Sequence, residues 1–237
     1  MARLARFRRV SALLALLAAA VLVGACGGSD FRYLSNSEAG AFFKVPDSWS
    51  VYEEDDLLRS QDDAADREEL EAISDRLWFR GFDGADDPDL GNVSNLAARS
   101  PRGFAQVRPL SASERDTIDL AFLRRSGFPV PDPETGQRVD PLEFFSENPD
   151  GFVQVLEYDD DRSLGELTLG DGLRGVRMLS RVEVEEGDPV VFEQVTAVDA
   201  DTTRMYAFTV GCVESCWEDN EDVIREIADS WTLEETP

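Results

Sequence analysis

Residues 176–210 read VRMLSRVEVEEGDPVVFEQVTAVDADTTRMYAFTV, and this stretch decides the fold. Val176, Met178, Val182 and Val184 alternate with polar side chains along residues 176–185, which gives a strand one apolar face. Residues 190–198 and 205–210 are runs of the same kind, rich in β-branched and aromatic side chains. Short polar turns at Glu186-Gly187-Asp188-Pro189 and Asp199-Ala200-Asp201 separate the three, with residues 202–204 leading into the last. Connections this short cannot carry a crossover, so the three strands are antiparallel neighbours.

The same reading extends outward. Phe152-Val153-Gln154-Val155-Leu156 and Glu166-Leu167-Thr168-Leu169 are further strands on the N-terminal side. On the C-terminal side a helix is expected from about Asp219 to Asp229, with Asp219 as N-cap and Val223, Ile224, Ile227 and Ala228 as its apolar stripe. Glu218, Asp219, Glu221 and Asp222 stand where the helix dipole favours negative charge. Trp231-Thr232-Leu233 closes the chain as a last strand.

Nearer the N-terminus, Phe31-Arg32-Tyr33-Leu34 and Ala41-Phe42-Phe43-Lys44-Val45 form a hairpin around Asn36-Ser37-Glu38-Ala39-Gly40. Over residues 62–77, Leu70, Ile73 and Leu77 recur at helical spacing, with Asp63, Arg67 and Glu71 as four-residue charge pairs on the wet side. Trp78-Phe79-Arg80-Gly81-Phe82 returns to alternation as a strand. Residues 83–149 differ in kind, because eight of the eleven prolines fall there. Two elements are expected within this loop region, a strand over residues 104–109 and a short helix over 117–125 with Ile118 and Leu123 inward. Long loops in a compact domain tend to be functional. A partner surface is therefore expected here, with Arg99, Arg102, Arg124 and Arg125 as its positive points.

Location is legible in the first 26 residues. Arg3, Arg6, Arg8 and Arg9 precede an uncharged segment running from Val10 to Ala25, and Leu22-Val23-Gly24-Ala25-Cys26 ends it. Aliphatic, small, small, Cys resembles the lipobox of bacterial lipoproteins, in which the Cys thiol receives a diacylglycerol and the leader is cut just before it. The alternative, an uncleaved span, needs roughly 20 apolar residues. Two acyl chains suffice for stable anchoring. Residues 1–25 are thus read as the signal peptide, 26–30 as a short tether and 31–237 as a single domain, with Cys26 lipidated on the extracytoplasmic face of the cell membrane.

The net charge of −26 excludes a nucleic-acid binder, whose footprint is basic, and leaves lipid as the membrane contact. Lys44 is the single lysine, a pattern expected of a G+C-rich genome. Histidine is absent, which rules out Ser-His-Asp and Cys-His chemistry and His-ligated metals. No catalytic, metal or cofactor residues are assigned. Carboxylate runs such as Asp55-Asp56, Asp62-Asp63, Asp159-Asp160-Asp161 and those within residues 83–89 do not meet the spacing of a calcium loop and are read as solvated faces. Cys212-Val213-Glu214-Ser215-Cys216 has a three-residue gap and holds the remaining thiols once Cys26 is lipidated. A structural disulfide is the reading adopted, with redox activity and metal binding as alternatives. Trp49, Trp78, Trp217 and Trp231 sit at element edges as core residues, Trp49 and Trp78 being candidates to line a pocket.

Ala41-Phe42-Phe43-Lys44-Val45-Pro46-Asp47-Ser48-Trp49 resembles the F-x-V-P-x-x-W opening of PsbP-like proteins. The ending, from Tyr206-Ala207-Phe208-Thr209-Val210 through a Cys pair and a helix to Ser230-Trp231-Thr232-Leu233, is similar to how those domains close. Val139-Asp140-Pro141-Leu142 resembles their actinobacterial lipoprotein relatives, including the LpqN-like group. The resemblance implies an α+β fold, an antiparallel sheet flanked by helices on both faces as an α/β/α sandwich, used for binding and assembly rather than catalysis. It transfers no functional residue. Three functions follow for test: a non-catalytic lipoprotein that binds or assembles an envelope partner, a carrier of an apolar ligand such as a lipid, and a carboxylate-based envelope hydrolase. A large apolar pocket marks the carrier, and convergent acids of raised pKa in a cleft mark the hydrolase.

Overall fold

The computed structural model describes residues 31–60, 71, 76–93, 95–127, 140–147, 153–159, 172–184 and 187–234. Its strands are β1 (Phe31–Asn36), β2 (Ala41–Pro46), β3 (Ser50–Glu53), β4 (Trp78–Asp83), β5 (Arg102–Pro109), β6 (Val153–Asp159), β7 (Arg174–Val182), β8 (Val190–Val198), β9 (Arg204–Val213) and β10 (Thr232–Leu233). The helices are α1 (Glu54–Ser60), α2 (Ala112–Thr117), α3 (Leu120–Gly127), α4 (Pro141–Glu147) and α5 (Glu214–Asp229). The expected leader, Cys26, and the strand over residues 166–169 lie outside the described residues, as does most of the helix expected over residues 62–77.

The alternating stretch forms the middle of a seven-stranded antiparallel sheet in the order β3-β4-β5-β9-β8-β7-β6. Tyr206, Phe208, Val210 and Cys212 of β9 share one face with Val191, Val195 and Ala197 of β8, since the register sets Val195 opposite Phe208. That face is covered by α5 and by a second sheet, β1-β2-β10. Phe43 of β2 lies at the meeting of the layers, with ring centroids 5.7 Å from Phe208, 5.8 Å from Trp231 and 6.2 Å from Trp78. The opposite face carries Val176, Met205 and Val198 under Leu123 of α3, and Val153, Val182 and Phe192 beside Phe144 of α4. The class is therefore α+β, an antiparallel sheet with helices on both faces, and the three-stranded sheet shares one of those faces with α5.

Two expectations need correction. First, the described part of residues 83–149 is not an expanse of loop. It supplies β5, which lies between β4 and β9, and the helices α2, α3 and α4. Two of its prolines stand where the backbone tolerates them: Pro109 is the last residue of its strand and Pro141 the first of its helix. Gly103 of β5 has a reason to be glycine, because a Cβ there would lie 2.0 Å from the Thr209 carbonyl oxygen of β9. Second, α5 begins at Glu214, five residues before Asp219, directly after β9, and its N-cap Val213 offers no capping side chain.

Cys212 ends its strand's inward row and Cys216 lies in the first turn of α5; their sulfurs are bonded, with Cα atoms 5.9 Å apart. Both are buried. The bridge thus ties strand to helix where a side-chain cap is missing. Replacing both cysteines by serine is expected to lower stability by about 2 kcal/mol through the loop-entropy contribution alone. Chemical unfolding with and without reductant checks this, and an unchanged midpoint would show the bridge to be energetically idle.

Candidate functional site

At the end of the sheet where β5 finishes and β9 begins, Pro109 pairs with Arg204 and Val198 with Met205. The β8–β9 turn is held by Asp199, whose Oδ1 accepts from the backbone N–H groups of Thr203 (2.6 Å) and Arg204 (3.0 Å). Its Oδ2 accepts from the Thr203 hydroxyl at 2.5 Å. Thr202 takes a left-handed backbone, φ 53°, within this turn. Asp199 is therefore absorbed by the backbone it shapes.

The turn forms one wall of a cleft of about 300 Å³. Trp78 and Val107 of the facing strands make its floor, and the β1–β2 turn, with Asn36, Glu38 and Ala39, makes another wall. Arg76, Arg115 and Arg204 all line it. Trp78, a candidate pocket residue from its sequence position, is there; Trp49 is not, and packs on Phe82 instead at 6.2 Å.

The three guanidinium groups make no salt bridge among the described residues, although the chain has 49 acidic side chains. The nearby acids have other work. Glu114, next to Arg115 on α2, is held by Arg108 at 2.6 and 3.1 Å and also closes the capping box with Ser111. The Arg108 hydrogen bond, with help from Ser111, lowers the Glu114 carboxyl to about 2. Arg115 itself donates from Nε and Nη2 to the Leu110 carbonyl, both at 3.2 Å, which fixes its stem and leaves Nη1 with no bond within the described residues. Arg204 donates weakly to the Glu38 carbonyl at 3.4 Å and lies near Tyr206, whose buried phenol is pushed above its usual value by desolvation. Glu38, an exposed residue, is the acid in the lining.

A second cleft of about 330 Å³ opens on the other face of the same sheet end, lined by Ile118, Leu120, Leu123 and Val198 with Arg174 and Asp119 at its edge. It is the more apolar of the two. Two of the four arginines expected to mark a partner surface, Arg102 and Arg124, hold the fold together. Arg124 makes paired bonds of 2.7 and 2.6 Å to Asp140, which is buried, and Arg102 is buried in an ion pair with buried Asp83. These two hold α3 to the start of α4 and β5 to the end of β4, while Arg99 is exposed and Arg125 half-buried. Asp83 is likewise no solvated acid: besides Arg102 it accepts from the Ala85 backbone N–H at 2.9 Å.

Among the described residues the acid with a pKa raised by burial is Glu193 of β8, beneath α5 and paired with Arg177, not in either cleft. Among the described residues no group of three or more Cys, Asp or Glu side chains is placed to hold a metal, and no helix is long and apolar enough to cross a membrane.

No family model and no curated protein matches the chain. Among solved structures it is similar to cyanobacterial PsbP (CyanoP) of Synechocystis, at 14% identity and TM-score 0.41, over 88% of this chain and 96% of that one. LpqN of Mycobacterium tuberculosis, described as involved in cell envelope biogenesis, is similar at 14% identity and TM-score 0.41, over 89% and 88%. The Ran-binding protein Mog1p of Saccharomyces cerevisiae is similar at 11% identity and TM-score 0.39, over 86% and 95%. Likenesses this remote settle no role, and the α+β architecture rests on the strand order itself.

Proposed function

We propose that this chain is a non-catalytic binding lipoprotein, anchored through Cys26 on the outer face of the cytoplasmic membrane, that receives its partner at the end of the sheet carrying the arginine-lined cleft. The observation that carries this reading is the cleft: three guanidinium groups without ion-pair partners among the described residues, in a chain of net charge −26, near Glu114 and Asp199, which are engaged elsewhere. Unpaired charge lining a concave site is what a ligand or partner exploits. Anchoring is supported by Val23-Gly24-Ala25-Cys26 after a basic, apolar leader. For the carrier reading the favouring observation is the second cleft, with Ile118, Leu120, Leu123 and Val198, but its volume suits one small apolar group rather than paired acyl chains.

Placing a photo-cross-linking residue at exposed Thr203 and, separately, at exposed Asp188 near the other end of β8 tests the site in native membranes. Adducts from Thr203 and none from Asp188 are expected; equal yields would sink the assignment. For the anchor, Cys26→Ala is expected to abolish the diacylglyceryl mass increment and to move protein lacking its leader into the soluble fraction. A variant that remains membrane-bound after loss of the leader would refute lipidation at this residue.

A further inference from the structure

We infer, resting on the proposed binding role of this cleft, that its ligand carries a phosphate monoester joined to an apolar or ring-shaped body. Three guanidinium groups line the cleft, from the segment before β4, from α2 and from the start of β9. A carboxylate has one charge and two oxygens, and a single planar fork satisfies it; a phosphate monoester has close to two charges and three terminal oxygens, which several forks can share. Part of the donor set is unspent: Arg115 uses Nε and Nη2 on the Leu110 carbonyl but Nη1 has no bond within the described residues, Arg204 makes a weak 3.4 Å bond to the Glu38 carbonyl there, and Arg76 makes neither a salt bridge nor a hydrogen bond there. Glu38 is the acid of the lining, so the balance of charge in the cleft is positive within a strongly negative molecule.

The other half of the lining selects the rest of the ligand. Leu77, Trp78, Val107, Pro109 and Ala39 give it an apolar side, with Trp78 as the large ring. A bare phosphate ion would leave that side against water. About 300 Å³ is at the small end of ligand sites and suits one ring beside the phosphate group.

The test is calorimetric titration of the full chain, purified from membranes in detergent, with phenyl phosphate, inorganic phosphate, benzoate and monomeric dihexanoyl phosphatidic acid. Phenyl phosphate is expected to bind at least tenfold more tightly than inorganic phosphate or benzoate, and to weaken as salt is raised. Arg115→Gln with Arg204→Gln should cost tenfold or more while circular dichroism and melting stay near wild type; Arg125→Gln, outside the cleft, should change nothing. Phosphatidic acid binding as well as phenyl phosphate would place the group on a lipid, and phenyl phosphate binding alone would place it on a soluble molecule. Absence of saturable phosphate binding, or binding insensitive to the arginine pair, overturns the inference. If Thr203 still cross-links a partner in that case, the binding role stands and only the ligand class falls.

Discussion

Trp231→Ala is expected to cost about 3–5 kcal/mol, the usual range for truncating a buried tryptophan. Its side chain is 2% exposed and is packed between layers, with Phe208 of the large sheet at 5.5 Å, Phe43 of the small sheet at 5.8 Å and Trp78 at 6.3 Å. Aromatic pairs add about 0.5–1.5 kcal/mol each beyond burial, so the loss belongs in the upper part of the range. Against a typical total of about 5–15 kcal/mol, that is a large fraction of stability. The indole Nε1 has no hydrogen-bond partner among the described residues. Trp231→Phe gives up packing but no hydrogen bond and should retain more than half of the stability lost in Trp231→Ala. Urea unfolding with linear extrapolation reads both; an alanine variant within about 1 kcal/mol of wild type would mean the layers close without this ring.

Arg177→Met should be nearly as damaging at neutral pH, about 3–5 kcal/mol, because it strands a buried charge. Arg177 of β7 reaches Glu193 of β8, which is 2% exposed, and also bonds Asp229 at the end of α5 at 2.6 Å. Burial raises the Glu193 carboxyl above its ordinary value even with the guanidinium beside it. A raised folded-state pKa contributes stability that is full below the unfolded value and lost as pH rises through the folded one. Without Arg177 the rise is larger, so the gap between variant and wild type should narrow as pH falls from neutrality toward the ordinary glutamate value of 4.5. Adding Glu193→Met should recover most of the loss at neutral pH. A deficit independent of pH and not relieved by the second substitution would assign the cost to packing instead.

What the sequence disclosed follows from range. Strands β7, β8 and β9 were legible because alternation and two short turns are local, and the residues between them leave room for nothing else. The start of α5 was misread, because Asp219 looks like a polar N-cap. Cys216 and Trp217, which precede Asp219, are buried and continue backward the helical spacing of Ile224, Ile227 and Ala228. Strand β3 and helix α1 went unread because Ser50-Val51-Tyr52-Glu53 is four residues long and runs straight into Glu54-Asp55-Asp56, with no turn between them.

The cleft had no such local signature. Arg76 follows Asp75, Arg115 stands between Glu114 and Asp116, and Arg204 comes soon after Asp199 and Asp201, so each looks neutralised by its neighbours. Which acids are free is decided by tertiary bonds, such as Arg108 to Glu114 and the Asp199 turn. The same bonds removed Arg102 and Arg124 from the surface that their proline-rich surroundings had suggested.

The small sheet has a consequence for timing. Strand β2, near the start of the domain, is completed by β10 at residues Thr232 and Leu233, and the Lys44 backbone N–H donates to the Ser230 hydroxyl across 186 positions. The Glu234 N–H reaches back to the Gly40 carbonyl. Closing such a loop exacts its entropy before any contact rewards it, which slows the last step of folding. The first hairpin can form as a pair, yet the inward face of Ala41, Phe43 and Val45 has no cover until Trp231 arrives. Chain length thus acts as a clock: a growing polypeptide keeps its first hairpin unsealed until nearly every residue has been made.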